Sequence, residues 1–132
     1  MTIIESSTQI QKPVAEVYQF LVDLNNHQQL MPSNIYNWSS TSDEASFTIQ
    51  NMAKLAIKIT EKTENSELVA IPTEKAPFEL KLKWKVASNA DGSTTATHII
   101  EADLNMMMKM IAAGPLQKLV DFQTSKLKEI LG

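Results

Sequence analysis

Two histidines are the side chains of this chain that could transfer a proton near neutral pH. His98 lies in a segment of alternating apolar residues and shares a predicted inward face with Ala96, Ile100 and Leu104. An inward imidazole could bind a polar group of a ligand or act as a general acid or base. A lone histidine on an apolar face is more often a core residue paired within the protein, and we favour that interpretation. His27 lies in a run of polar residues.

Gln123 is the polar exception in an apolar helical stripe near the end of the chain. A buried amide must find hydrogen-bond partners, so Gln123 either pairs with a neighbouring backbone group or points at something polar in a cavity. The first interpretation is favoured, because most buried polar groups are paired within the protein. With about 100° per residue, the apolar residues that share its arc are Leu116, Leu119, Val120, Leu127, Ile130 and Leu131.

The sequence motifs of common enzyme classes are missing. Glu101 and Asp103 fall on the face of their strand opposite His98, so neither carboxylate should partner the imidazole. No HExxH, CxxC, glycine-rich phosphate loop or GxSxG elbow occurs, and three glycines in all make a phosphate cradle improbable. We therefore predict no metal site and no cofactor, and expect a binding protein rather than an enzyme.

Composition excludes several kinds of partner. All 12 basic residues are lysines and the net charge is -3, which argues against a nucleic-acid partner, since such proteins favour arginine and basic surfaces. There is no cysteine, so the cytoplasm is the expected compartment. The N-terminus has no signal-peptide pattern. The most apolar stretch, Met106–Ala113, is too short to span a membrane and contains Lys109.

The elements that must position these residues begin with a strand and two helices. The β-branched content of Thr2–Gln11 predicts a strand. Apolar residues at i, i+3, i+4 and i+7 predict a helix over Pro13–Asp23, which proline can start. Asp23 is suited to cap a second short helix over Leu24–Leu30, and Pro32 should end it.

The middle of the chain, from Ile35 onward, has the two-residue period of β-strands. In the clearest strand, Phe78–Val86, apolar residues alternate with Glu79 and three lysines, which predicts one buried and one wet face. Asp91–Gly92 is a turn, and Thr94–Leu104 should return as the second strand of a hairpin. Short spacers leave no room for parallel crossovers, so we predict one antiparallel meander.

Gly114–Pro115 interrupts the C-terminal helical pattern. Since proline opposes continuation of a helix, we expect the long helix to run over Pro115–Leu131. Met106–Ala113 would be a movable lid or an ordinary junction leading into that helix, and we favour the junction. The methionines before Gly114 could form an adaptable pocket rim or fill the core, and core filling is the favoured interpretation.

The run Thr8–Asn25, continuing through Leu30-Met31-Pro32, resembles the opening of the START-like superfamily, also called the polyketide cyclase/dehydrase and lipid-transport group. The shared pattern is a strand, a proline, a "VxxFLxD" helix and an asparagine-led second helix. The segment Gly114–Asp121 is similar to the start of that family's last helix. The resemblance implies a curved sheet around the last helix and an apolar cavity for a lipid, isoprenoid, polyketide or other hydrophobic molecule. Cyclases of the family commonly place arginine in the cavity, and this chain has none.

We therefore predict a single α+β domain, 1–132, with the helix-grip fold: about six to seven antiparallel strands curved around a long C-terminal helix, with two short helices after the first strand. The favoured function is binding or transport of a small hydrophobic ligand between sheet and helix. The alternatives are a cyclase- or dehydrase-like enzyme using His98 and a ligand-free module that holds a protein partner. The predicted ligand-binding residues are Trp38, Phe47, Ile57, Phe78, Leu80, Leu82, Trp84, His98, Met108, Ile111, Leu119 and Gln123.

Overall fold

One antiparallel sheet wraps around a long C-terminal helix. The computed structural model describes residues 1–76 and 78–132, and seven strands lie within these ranges. The strands follow the spatial order β1, β7, β6, β5, β4, β3, β2, so the sheet is a meander with β1 added beside β7. The elements in chain order are β1 (Thr2–Ile10), α1 (Val14–Leu21), a 3₁₀ helix (Leu24–Leu30), β2 (Ile35–Ser40), β3 (Glu44–Ile49), β4 (Ala53–Thr63), β5 (Glu67–Pro72), β6 (Leu80–Ser88), β7 (Thr94–Ala102) and α2 (Met106–Leu131).

The inner face of the curled sheet carries the core. Alternation puts Leu80, Trp84 and Val86 of β6 inside, while Lys81 and Lys85 point to solvent. Register shifts interrupt the β2–β3 and β4–β5 ladders, and such irregularities bend strands and help a sheet to curl. The predicted helix-grip fold is thus confirmed.

The two short helices close one end of the sheet. Pro13 precedes α1 with φ -62°, and Val17, Tyr18 and Leu21 form the buried face of this helix. Asp23 caps the 3₁₀ helix as expected, because its carboxylate accepts a hydrogen bond of 3.0 Å from the backbone N–H of Asn25.

Helix α2 lies along β1 and is tied to it by hydrogen bonds from Gln117 onward. Gln117 Nε2 donates to the backbone oxygen of Glu5 (3.1 Å), and Lys128 Nζ donates to that of Gln9 (2.7 Å). The buried face of α2 consists of Ala112, Leu116, Val120, Gln123, Thr124 and Leu127.

The expected break at Gly114–Pro115 is wrong, because α2 runs without interruption from Met106 to Leu131. Asn105 caps the start, accepting a hydrogen bond of 2.8 Å from the N–H of Met108. Pro115 removes the helical bond to the carbonyl of Ile111, but both residues are exposed, so water can satisfy that oxygen. Met106–Ala113 is therefore neither a separate lid nor a junction.

No helix among the described residues combines the length and the hydropathy that a membrane crossing requires.

Candidate functional site

An apolar cavity of about 50 Å³ lies between the inner face of the sheet, the 3₁₀ helix and α2. Its polar lining residues, among those described, are His27, His98 and Gln123. Ten of the twelve predicted ligand-binding residues line it: Trp38, Phe47, Ile57, Phe78, Leu80, Leu82, Trp84, His98, Leu119 and Gln123. The remaining walls come from Leu24, Met31, Ile49, Met52, Ala53, Leu55, Leu68, Ala70, Ile100 and Leu116.

Met108 and Ile111, the other two predicted ligand-binding residues, do not line the cavity. Ile111 is 66% exposed and Met108 is half-buried. Both belong to the first turns of α2, which precede the part of the helix that faces the cavity. The favoured core-filling role of the methionines is wrong for Met106, Met107 and Met110, which are 83%, 72% and 83% exposed.

His98 is held face to face against Trp84. The two residues are register partners on β7 and β6, so their side chains emerge next to each other on the inner face. Their rings are stacked, with 4.4 Å between centroids and 3° between planes. On its other side His98 pairs with Ser6 of β1, whose hydroxyl bonds that of Thr124 on α2 (2.8 Å). This bond joins α2 to β1 at the residue that follows Gln123.

His27 is a cavity residue that the sequence analysis left in a polar run. Its ring packs edge-on to Trp84, with 6.4 Å between centroids, and its Nε2 lies 2.7 Å from the backbone oxygen of Leu21. Leu24, His27 and Leu30 are all buried. This three-residue spacing is the period of a 3₁₀ helix, and it was the signal by which the burial of His27 could have been found.

Gln123 is buried (3% exposed) and is oriented by a weak contact. Its Nε2 donates to Met31 Sδ at 3.3 Å, and thioether sulfur is a poor acceptor. Its Oε1 and His98 Nδ1 are buried without a hydrogen-bond partner in the part of the chain that the structure describes. The favoured interpretation of both residues as polar groups paired within the protein is therefore wrong for these two atoms. Leaving such atoms unpaired costs about 1–3 kcal/mol each.

Burial keeps both imidazoles neutral at pH 7. It lowers the pKa of His98 from 6.5 to about 3, with a smaller lowering by nearby His27 and an opposing effect of the Gln123 side chain. Burial also lowers the pKa of His27, against the opposing effects of the Leu21 carbonyl and Asp23. An imidazole with a pKa of about 3 is a weak base at pH 7, so the site is poorly matched to general acid–base chemistry.

The carboxylates nearest in sequence are placed as predicted, away from the cavity. Glu101 lies on the opposite face of β7, where it pairs with Lys83 at 2.8 Å, and Asp103 is exposed. Within residues 1–76 and 78–132 no group of three histidines or carboxylates is arranged to hold a metal ion.

Several solved structures resemble this chain over nearly its whole length. A START superfamily protein from Mycobacterium smegmatis matches with a TM-score of 0.68 at 12% identity, over 97% of this chain and 98% of the other. The protein XoxI from Bacillus cereus matches with a TM-score of 0.79 at 11% identity, over 99% and 96%. KanY matches with a TM-score of 0.80 at 13% identity, over 98% and 97%.

These likenesses establish the START-like, helix-grip fold for the described chain. No protein-family model matches the sequence, and no curated protein matches it significantly. At such low identities the likeness concerns the fold and leaves function to be argued from the cavity.

Proposed function

We propose that this protein binds, and in that way carries, a small hydrophobic molecule in the cavity between the sheet and α2. The observation that supports this most is the makeup of the walls: apolar side chains from β2 to β7 and α2 surround two buried polar atoms that lack partners among the described residues. Many apolar walls with a few placed polar groups are typical of ligand pockets.

The size of the cavity limits what binds without rearrangement. A cavity of about 50 Å³ is smaller than the roughly 150 Å³ that accommodates benzene in an engineered protein. A ligand must therefore displace wall side chains. Met31, Met52 and Leu119 are only partly buried, and methionine changes shape at low cost.

Binding is favoured over catalysis because the described residues of the cavity lining give His98 no acid–base partner. The neighbouring polar groups of the lining are His27, which is neutral at pH 7, and the Gln123 amide. We therefore do not assign a cyclase or dehydrase activity to His98. The cytoplasm remains the predicted compartment, because the chain has no cysteine.

One observation favours a second candidate, a module that holds a protein partner around a filled core. The cavity is small, and Met106, Met107, Met110 and Ile111 expose apolar surface on the first turns of α2. This candidate predicts that no small molecule accompanies the protein and that filling the cavity leaves its partner bound.

The test is native mass spectrometry of freshly purified protein, compared with its denatured mass. The proposal predicts an added mass that is lost in Ala70→Leu, because Ala70 lines the cavity and the larger side chain occupies it. Ala45→Leu is the matched control: Ala45 is buried on β3, two strands from Ala70 in the sheet, but does not line the cavity. A clean apo mass for the wild type, with retention of a protein partner by folded Ala70→Leu, would favour the second candidate instead.

A further inference from the structure

We infer that the ligand of this cavity is an uncharged molecule with one hydroxyl group, an alcohol or a phenol, held between His98 Nδ1 and Gln123 Oε1. This inference rests on the proposed function, because it names the chemical class that the same cavity would accept. It goes further by assigning the polar recognition to one pair of atoms.

The ligand must be neutral because its surroundings are. The described residues that line the cavity include no lysine, aspartate or glutamate, and both lining histidines are neutral at pH 7. Moving an unpaired carboxylate or ammonium from water into such a site carries a large desolvation cost. Fatty acids and amines are therefore poor candidates.

The hydrogen-bonding capacity of the pair selects a hydroxyl. Because Gln123 Nε2 is directed at Met31 Sδ, the amide presents its carbonyl oxygen, which can only accept. Neutral His98 carries one ring N–H, and with that proton on Nδ1 it can only donate there. A hydroxyl accepts from the imidazole and donates to the amide, so it satisfies both atoms at once.

The two atoms also face the same enclosed space. His98 and Gln123 line one cavity of about 50 Å³, so a single small polar group inside it lies within reach of both side chains. The ring stack on Trp84 restrains His98, and the contact of Nε2 with Met31 Sδ restrains the Gln123 amide. A ketone or an ether would only accept, and would leave Gln123 Oε1 unpaired.

Four small probes of similar shape separate these properties: p-cresol carries a hydroxyl, anisole an ether oxygen, toluene neither, and benzoate a charge. Binding to the full-length chain at pH 7 is followed by NMR titration and by the fluorescence of Trp84 and Trp38, which both line the cavity. We expect p-cresol to bind about tenfold more tightly than toluene or anisole, the effect of roughly one to two neutral hydrogen bonds, and benzoate not to bind.

Two variants make the result specific. Gln123→Leu keeps the approximate volume and removes the acceptor, so p-cresol should lose its advantage over toluene. Ile57→Val changes the cavity wall but leaves His98 and Gln123 in place. It should change the affinities for p-cresol and for toluene equally, so the ratio of the two affinities should stay as in the wild type. His98→Phe supplies an independent check, because it removes the donor and keeps an aromatic ring beside Trp84.

The outcomes distinguish failure of the inference from failure of the proposed function. If p-cresol, anisole and toluene bind the wild type equally, or if the preference survives Gln123→Leu, the hydroxyl assignment is overturned while the cavity still binds ligands. A direct hydrogen bond between His98 Nδ1 and Gln123 Oε1 would give that result. If no probe binds at all, both the inference and the proposed function are rejected.

Discussion

Lowering the pH from 7 to 5 should remove about 2 kcal/mol of unfolding free energy through His98 alone, and His98→Phe should abolish that part of the loss. The cause is the burial of a neutral imidazole, which lowers the pKa of His98 from 6.5 to about 3 in the folded protein. Above pH 6.5 the histidine is neutral in both states and its contribution to stability is complete. As the pH falls below 6.5 the unfolded chain binds a proton that the native protein does not, so stability falls until the pH reaches about 3.

The magnitude follows from the interval over which the two states differ. Between the unfolded pKa of 6.5 and pH 5 lie roughly 1.5 pH units, each of which changes the free energy of unfolding by about 1.4 kcal/mol. His27, which lines the same cavity as His98, also has a lowered pKa and adds a loss of the same sign. The carboxyl pKa values of Asp91 and Glu101 are lowered too, by hydrogen bonds with Ser93 and with Lys83 respectively. These two carboxyl groups therefore titrate below pH 5, outside the interval from pH 7 to pH 5 over which stability is compared.

The assay is urea unfolding followed by tryptophan fluorescence at pH 7 and pH 5, on the wild type, His98→Phe and Leu80→Ala. Leu80→Ala is the control: it removes buried apolar volume from the cavity wall without changing a titratable group, so it should destabilise the protein equally at both pH values. His98→Phe should lose about 2 kcal/mol less than the wild type between the two pH values.

The reasoning would be refuted by equal pH-dependent losses in the wild type and in His98→Phe. Such a result would mean that His98 titrates alike in the folded and unfolded states, as an accessible imidazole does. The inference that the cavity accepts only an uncharged ligand would then also fail, because it depends on a buried, neutral His98.

Two further predictions concern α2. Pro115→Ala should raise the free energy of unfolding by about 1–3 kcal/mol. Alanine restores the N–H that can bond the Ile111 carbonyl inside a continuous helix. An unchanged or lowered denaturation midpoint would contradict this prediction. Leu127→Ala should cost about 2–5 kcal/mol, because Leu127 is fully buried, whereas Ile111→Ala on the exposed side should stay within about 0.5 kcal/mol. Similar costs for these two variants would show that the burial assigned along α2 is incorrect.

Local sequence signals determined most of the elements. The alternation in β6 identified its buried face, and Pro13 and Asp23 marked the starts of the two short helices. These features depend on residues close in sequence: a two-residue or helical period, a fixed φ, or a side chain within reach of the next turn. The inward face of β7 was predictable for the same reason, and with it the position of His98.

The tertiary structure decided the rest. Pro115 lies inside a helix because α2 is held along β1 and the lost hydrogen bond faces solvent, which no local rule specifies. His27 is buried because the 3₁₀ helix packs over Trp84, and Ile111 is exposed because the first turns of α2 do not face the cavity.

By itself the sequence determined that an apolar sheet face and an apolar helix face meet, with His98 and Gln123 among the inward residues. Only the tertiary structure decided that a cavity of about 50 Å³ remains between them and that His98 Nδ1 and Gln123 Oε1 lack partners within the described chain. The physical reason is that periodicity reports which side of each element is buried. Cavity volume and hydrogen-bond satisfaction depend instead on how closely side chains from distant elements approach, to within fractions of an ångström.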